Sequence, residues 1–521
     1  MPPPTPQPAA SAALPITGAA LSPWEVEDVA LRARPVELTD VALAKVRASQ
    51  AALAKAMAGG RAIYGVNTGF GSYADTAIAP DKLGELQRNL LRSHAAGVGE
   101  PLPTHTVRAM MLLQLASLVR GHSAVRAEIP QTIAALLNAN TTPIVPEVGS
   151  VGASGDLAPL AHAALVLIGE GEALHDGKRI DGAKALKLAK LKPLELGPKE
   201  ALALINGTHL MAAQAALATP RVRRLFDAAL CACAMSMEAI RGSASFLDAR
   251  VHDARAQRGQ QRVAARLRTM LTGSTILTSH ALDDPRVQDP YSFRCAPQVL
   301  GGALDLIESC FTIFERELSA VTDNPLVFDD APHTVSAGNF HGAPLAMHLD
   351  ALTIALSHIA NIAERRIYIM LEARDKFVMP TKKGKTPYAP HMTRTPGLQS
   401  GYMIVQYVAA ACCNEIALLA APASVINIPT SAGMEDINSF GPRAAAKARR
   451  AIDLTERVVA MELLCAAEGM EYAHDEGLHS GEYVERTHQV VRAVAPRLDA
   501  DRTPHPDVEA LAGLIRAGRF G

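Results

Sequence analysis

The chain has 521 residues, 49% of them apolar, with 51 Lys and Arg against 52 Asp and Glu and a formal net charge of -1. At roughly 100 to 200 residues per domain, this length allows two or three domains or one large helical body. The charge balance favours neither nucleic acid nor a membrane surface as a partner.

Residues 1 to 20 are rich in Pro, Ala, Ser and Thr and carry no charged side chain. They lack the basic n-region and apolar core of a signal peptide and predict a disordered tail. No later apolar run reaches about 18 residues without a charge or breaker, so no transmembrane helix is predicted. The seven cysteines (Cys231, Cys233, Cys295, Cys310, Cys412, Cys413, Cys465) are an odd set with no C-x-x-C pair. That argues against a disulfide framework and for a reducing cytoplasm, with most thiols acting as small core residues.

Residues 24 to 60 predict Ala- and Leu-rich helices ending at Gly59-Gly60, followed by a glycine-rich loop, Tyr64-Gly65-Val66-Asn67-Thr68-Gly69-Phe70-Gly71. Amphipathic helices are expected over 83 to 96, with His94 near the end, and over 106 to 119. The run Gly149-Ser150-Val151-Gly152-Ala153-Ser154-Gly155-Asp156 places small residues before an acidic one, a tight loop feeding a helix that Asp156 would cap. A phosphate loop fits poorly, because there is no G-x-G-x-x-G after a strand and no closing Lys-Ser/Thr. An apolar helix over 158 to 169 precedes a surface hairpin around Asp176-Gly177, and a helical run meets Asn206-Gly207.

Long stretches of Ala, Leu, Ile and Met at helical spacing over 208 to 247, 297 to 371, 408 to 421 and 443 to 471 predict a mainly α fold. It is a long-helix bundle with a smaller mixed N-terminal region that carries the glycine loop. The boundaries expected are 1–20 for the tail, 21–205 for the loop-bearing domain, 206–480 for the central bundle and 481–521 for a C-terminal helical extension. Breaks in the bundle hold Gln288-Asp289-Pro290-Tyr291-Ser292-Phe293-Arg294-Cys295, the loop Ser336-Ala337-Gly338-Asn339-Phe340-His341-Gly342, and Pro429-Thr430-Ser431-Ala432-Gly433-Met434-Glu435-Asp436-Ile437-Asn438-Ser439. Read singly, Tyr64 and Tyr291 are packing residues, His94 a structural or solvated histidine, Arg294 a surface cation, and Glu435-Asp436 a helix cap.

Taken together and in order from about residue 60 to residue 470, these segments resemble the histidine and aromatic amino acid ammonia-lyases. GASGDLAP at 152–159 is similar to the signature whose Ala-Ser-Gly tripeptide cyclises into a methylidene-imidazolone electrophile, abbreviated MIO. The resemblance implies that Ala153, Ser154 and Gly155 form this cofactor without an external coenzyme, Ser154 supplying the methylene by loss of its hydroxyl. It implies Tyr64 as the base for the β-proton, Asn206 as the residue binding the cyclised group and the substrate amine, Tyr291 as a further catalytic residue, and Arg294 as the carboxylate holder. Gln288, Phe340, His94 and Glu435 are implied as substrate-binding residues.

His94 and Glu435 resemble the histidine-specific members, implying conversion of L-histidine to trans-urocanate and ammonia. A tyrosine or other aromatic lyase, or an aminomutase, shares every MIO-forming residue. A catalytically dead helical scaffold is countered by the intact Ala153-Ser154-Gly155, Tyr64, Asn206, Tyr291 and Arg294. Gln399, Met434 and Ile437 depart from the histidine-specific pattern, and the basic stretch from Lys376 to Lys385 is longer than usual. The family also implies a homotetramer whose active sites are shared between subunits. No H-E-x-x-H or Cys/His cluster appears in the sequence, so no metal is expected.

Overall fold

The computed structural model describes residues 12–521 apart from 61, 74, 283, 285, 375–377 and 379–387. The basic Lys376–Lys385 stretch, save Val378, and residues 1–11 of the expected tail therefore lie outside the described residues. The fold is mainly α, as the helical spacing predicts.

Contacts group the described residues into two compact units: those within 1–220, 311–349 and 422–446 form the first, and those within 221–310, 350–421 and 447–521 the second. Boundaries at 205/206 and 480/481 do not match this interleaved division. A division read along the sequence assumes that neighbours in the chain stay together, whereas here the chain alternates between units.

In the first unit the expectation of a tail through residue 20 is corrected. Leu14–Ile16 is a strand paired in parallel with Val36–Leu38, and Leu14 and Ile16 are 2% and 1% exposed. Their alternation around Pro15 puts both apolar side chains into the core, which outweighs the tail-like composition of the residues before them. The helix Pro23–Arg32 starts from a capping box, with Ser22 Oγ accepting from Glu25 N–H and the Glu25 carboxylate accepting from Ser22 N–H. The helix Thr104–Leu118 is buried from Thr106 onward. Its Arg108 is tolerated there because the guanidinium donates to the carbonyls of Val29 and Leu137. The hairpin Glu172–His175/Lys178–Asp181 turns at Asp176 and Gly177, both at positive φ, as a two-residue turn requires, and joins Thr142–Pro143 in a three-stranded sheet. The helix Leu157–Leu167 packs against Leu83–His94 and Glu200–Ile205, so three of the segments singled out in the sequence meet here.

The second unit contains the helix Met403–Leu419, most of Gly441–His474, and the terminal helices Glu482–Arg492 and His505–Arg516. Its helices approach very closely where side chains are absent: a Cβ on Gly259 would lie 2.1 Å from the Gly301 carbonyl oxygen. Buried Arg366 and Glu462 pair, and Ser236 donates to the same carboxylate, so three helices share one satisfied polar centre. Glu471, His474 and His488 bring possible ligand atoms within 4.8 Å of one another, a grouping of titratable residues that the sequence did not suggest. Glu471 is already bonded to His488 Nε2 at 3.0 Å and to Arg492 Nε at 2.7 Å. Burial pushes its carboxyl up, but these partners outweigh that and hold it at about 2, so the cluster is an ion-pair hub.

Among the described residues Ala343–Glu372 is the one helix long and apolar enough to cross a membrane. It carries Asp350, and 61% of its most apolar window is buried, which marks a core helix.

Candidate active site

The first unit carries the glycine loop and clamps it from three later segments. Gly152, at φ +71°, has its carbonyl held by Ser439 Oγ at 3.0 Å and by Gly342 N–H at 3.1 Å, and Phe440 N–H donates to Val151 O at 2.8 Å. Gly155, at φ +77°, lies against Gly207: an added Cβ would sit 2.2 Å from the Gly207 oxygen. Only glycine fits that backbone conformation and that space. Asp156 N–H donates to the same Gly207 carbonyl at 2.7 Å, which stitches the loop to the Asn206-Gly207 turn.

Asp156 precedes the helix Leu157–Leu167, as the sequence predicts, but its side chain does not cap that helix. Its Oδ2 accepts instead from Leu210 and Met211 N–H at 2.9 and 3.1 Å, capping the N-terminus of the helix His209–Ala239. The reason is geometric: the first-turn donors of that second helix point at the buried carboxylate, and its own helix leaves them no other partner. Burial is the largest influence on Asp156 and raises its carboxyl to about 7, against the lowering effect of those amides and Ser150.

A group raised from 3.8 to about 7 contributes stability that is complete below the unfolded value and is lost as pH climbs through the folded value. Asp156→Asn removes this titration. Wild-type stability measured by chemical denaturation should fall relative to the variant by on the order of 4 kcal/mol between pH ~4 and ~7. Parallel stability curves for the two proteins would contradict it.

Ser154 Oγ donates to Glu435 Oε1 at 2.6 Å, and Asn206 Nδ2 donates to the Ser154 carbonyl at 2.7 Å. Thr430 Oγ1 donates to the second Glu435 oxygen at 2.7 Å and fixes the carboxylate. Glu435 therefore does not cap the next helix, which begins at Gly441. His94 lies within electrostatic reach of Glu435, and its Nδ1 is tied to the Leu90 carbonyl at 2.9 Å with Ser93 Oγ at 3.0 Å. Burial lowers the His94 pKa below the ordinary 6.5, so the neutral ring donates from Nδ1 and keeps Nε2 as an acceptor.

The Tyr64–Gly71 loop is fixed by its own side chains. Asn67 accepts from Ile63 N–H, Thr68 accepts from Gly65 N–H, and Gly71 N–H donates to the Tyr64 hydroxyl oxygen at 3.3 Å. The loop abuts the turn Ser431–Gly433 beside Glu435. With the helix Leu83–His94 it borders an open pocket of about 470 Å³ lined by Phe70, Tyr73, Ile78, Leu90 and His94. Phe340 is half-buried in a loop organised by Asn324, whose Oδ1 accepts from Ala337 N–H.

Thus Tyr64, His94, Ala153, Ser154, Gly155, Asn206, Phe340 and Glu435 all belong to the first unit, whereas Gln288, Tyr291 and Arg294 belong to the second. Tyr291 is 71% exposed in a short helix, with the Arg294 guanidinium 4.4 Å from its ring centroid. Gln399 also lies in the second unit and builds a turn, accepting from Arg394 and Thr395 N–H. Met434 and Ile437 are exposed. The sequence reading did not single out Thr430 and Ser439, which position Glu435 and Gly152. Both lie at the ends of the Thr430–Ser439 segment, and the signal was their hydroxyls flanking a carboxylate.

The sequence model of the aromatic amino acid lyase family matches residues 21–493. A histidine ammonia-lyase of Symbiobacterium thermophilum is 44% identical over 503 residues, covering 96% of each chain. The crystal structure of histidine ammonia-lyase from Trypanosoma cruzi superimposes with a TM-score of 0.88 at 37% identity, covering 98% of this chain and 94% of that one. Tyrosine aminomutase from Streptomyces globisporus also gives 0.88, at 34% identity and 98% coverage of both chains. The fold and site define a carbon–nitrogen lyase of the ammonia-lyase class. The chain belongs to the aromatic amino acid lyase family.

Proposed function

We propose that the protein is a histidine ammonia-lyase, converting L-histidine to trans-urocanate and ammonia. The observation that carries the substrate assignment is a pair of acceptors: Glu435, whose Oε1 loses its donor once the Ser154 hydroxyl is consumed, and, within electrostatic reach of it, neutral His94 through Nε2. An imidazole ring protonated on both nitrogens supplies two donors, a phenol supplies one and a phenyl ring none. Both acceptors are half-buried, and a bound ligand that covers them without supplying donors leaves them unpaired at a cost.

The residues present fit a ring made from Ala153-Ser154-Gly155. Gly152 and Gly155 hold positive φ, no side chain fits at 155, and Asn206 holds the carbonyl that the ring would retain. The MIO supplies a carbon electrophile that makes the substrate amine a better leaving group. The β-proton is weakly acidic, so a positioned base is required as well, and Tyr64 has that role. Arg294 has a buried Nε without a protein partner, and its fork-shaped guanidinium suits the substrate carboxylate. Tyr291 and Gln288 complete the set of residues from the second unit.

We assign a homotetramer with shared sites. Exposed Ile404, Tyr407, Val408 and Leu418 lie along one helix of the second unit, an apolar face suited to another copy of the chain. Sedimentation of active enzyme should give a tetramer, and an active monomer would refute it. Free cysteines throughout suit a reducing cytoplasm.

Incubating the purified enzyme with histidine, tyrosine and phenylalanine separately, and following the ultraviolet absorbance of the three conjugated acids, tests the substrate. Histidine should have the highest kcat/KM. Glu435→Gln, which keeps shape and removes charge, should lower that value by about 10- to 100-fold. Faster turnover of tyrosine, or a β-amino acid product, would replace the assignment with a tyrosine lyase or an aminomutase.

A further inference from the structure

The bend that presents Ala153, Ser154 and Gly155 is bridged by a side chain that none of the roles above uses. Ser150 Oγ accepts from Gly152 N–H at 3.2 Å, and it lies 3.1 Å from the Gly155 carbonyl oxygen and 3.2 Å from Asp156 Oδ1. One partner precedes the tripeptide, one is its last residue and one follows it, so a single hydroxyl spans the segment that must close on itself.

A hydroxyl has one proton and two acceptor positions. Gly152 N–H fills one of those positions. When Asp156 is ionised, the Ser150 proton is contested between the Gly155 carbonyl and the carboxylate. When Asp156 is protonated, its own O–H fills the second acceptor position, the Ser150 proton passes to the Gly155 carbonyl, and all three contacts are satisfied. The buried Asp156 carboxyl, raised to about 7, makes this protonated arrangement accessible near neutral pH.

We propose that Ser150 is a positioning residue for cofactor formation: its hydroxyl clasps Gly152 to Gly155 and holds the tripeptide in the tight bend that ring closure requires. The inference rests on the self-made ring proposed above. In that closure the Gly155 nitrogen bonds to the Ala153 carbonyl carbon, and the Ala153 oxygen leaves as water with the amide protons of Gly155 and Ser154. The Ser154 Cα proton and side-chain hydroxyl leave as the second water. Ser150 gives up no atom. Its contribution is to keep the backbone in a conformation that the open chain would otherwise populate rarely.

The test is intact-protein mass against time after synthesis in a cell-free system, quenched in acid. Wild-type chain should lose two waters. Ser150→Ala should fold with an unchanged circular dichroism spectrum and melting curve but lose them about tenfold more slowly, the effect of one hydrogen bond made in the reacting conformation. Ser150→Thr keeps the hydroxyl and should mature at close to the wild-type rate. Ser150→Ala maturing with the wild-type half-time overturns the proposal, as does a folded Ser150→Thr that matures as slowly as the alanine variant. If Ser150→Ala does not fold, the threonine variant decides alone: wild-type maturation supports the clasp and a folded, unmodified chain overturns it. A wild-type chain that never loses two waters refutes the cofactor reading itself, a separate result.

Discussion

Ser154→Ala protein should emerge with the mass its sequence dictates, while the wild type emerges lighter by two waters. The variant lacks the hydroxyl whose loss would create the methylene, so no carbon electrophile forms and the substrate amine remains a poor leaving group. Turnover should fall by about three orders of magnitude or more, equivalent to roughly 4 kcal/mol of barrier. Stability should change little, because the one hydrogen bond of the Ser154 hydroxyl, to Glu435, is already absent from a mature wild type whose hydroxyl has left as water. The Asn206 bond to the residue-154 carbonyl and the Thr430 bond to Glu435 both survive the change. Mass spectrometry, steady-state kinetics and a melting curve on one preparation check all three parts. A fully active variant of unmodified mass would remove the cofactor from the account.

Tyr64→Phe should separate the base from the electrophile. The phenol oxygen is held by Gly71 N–H in a loop whose other anchors, Asn67 and Thr68, do not depend on it. The loop should keep its place and the protein should still lose two waters, since Tyr64 takes no part in the clamped bend. The value of kcat should fall by about a thousandfold, within the usual range for loss of a positioned general base, while KM changes much less. A kcat within about tenfold of wild type would mean that another group takes the proton.

Helical periodicity made the fold class legible, because long Ala- and Leu-rich runs bury one face whatever their partners are. The hairpin at Asp176-Gly177 and the turn at Asn206-Gly207 were legible for a local reason, since each needs only its own backbone conformation. What the sequence concealed is non-local. Asp156 reads as the cap of the helix it precedes, and only the fold shows that Leu210 and Met211 are its partners. The strand Leu14–Ile16 depends on Val36–Leu38 to exist, so its own composition could not announce it. Gln288, Tyr291 and Arg294 resemble residues of one site with Tyr64 and Ser154, yet the chain carries them in a different unit, and no spacing rule reports that.

The clamp on Gly152 also sets a clock. Its Ser439 partner lies 287 residues downstream, so this clamp cannot close over the local Ser150 clasp until most of the chain has left the ribosome. A contact of such sequence separation forms late in folding. On the proposed cofactor reading, a nascent or truncated chain ending before residue 439 should therefore keep Ala153-Ser154-Gly155 as an inert tripeptide, the reactive carbon arising only after the protein has folded around it.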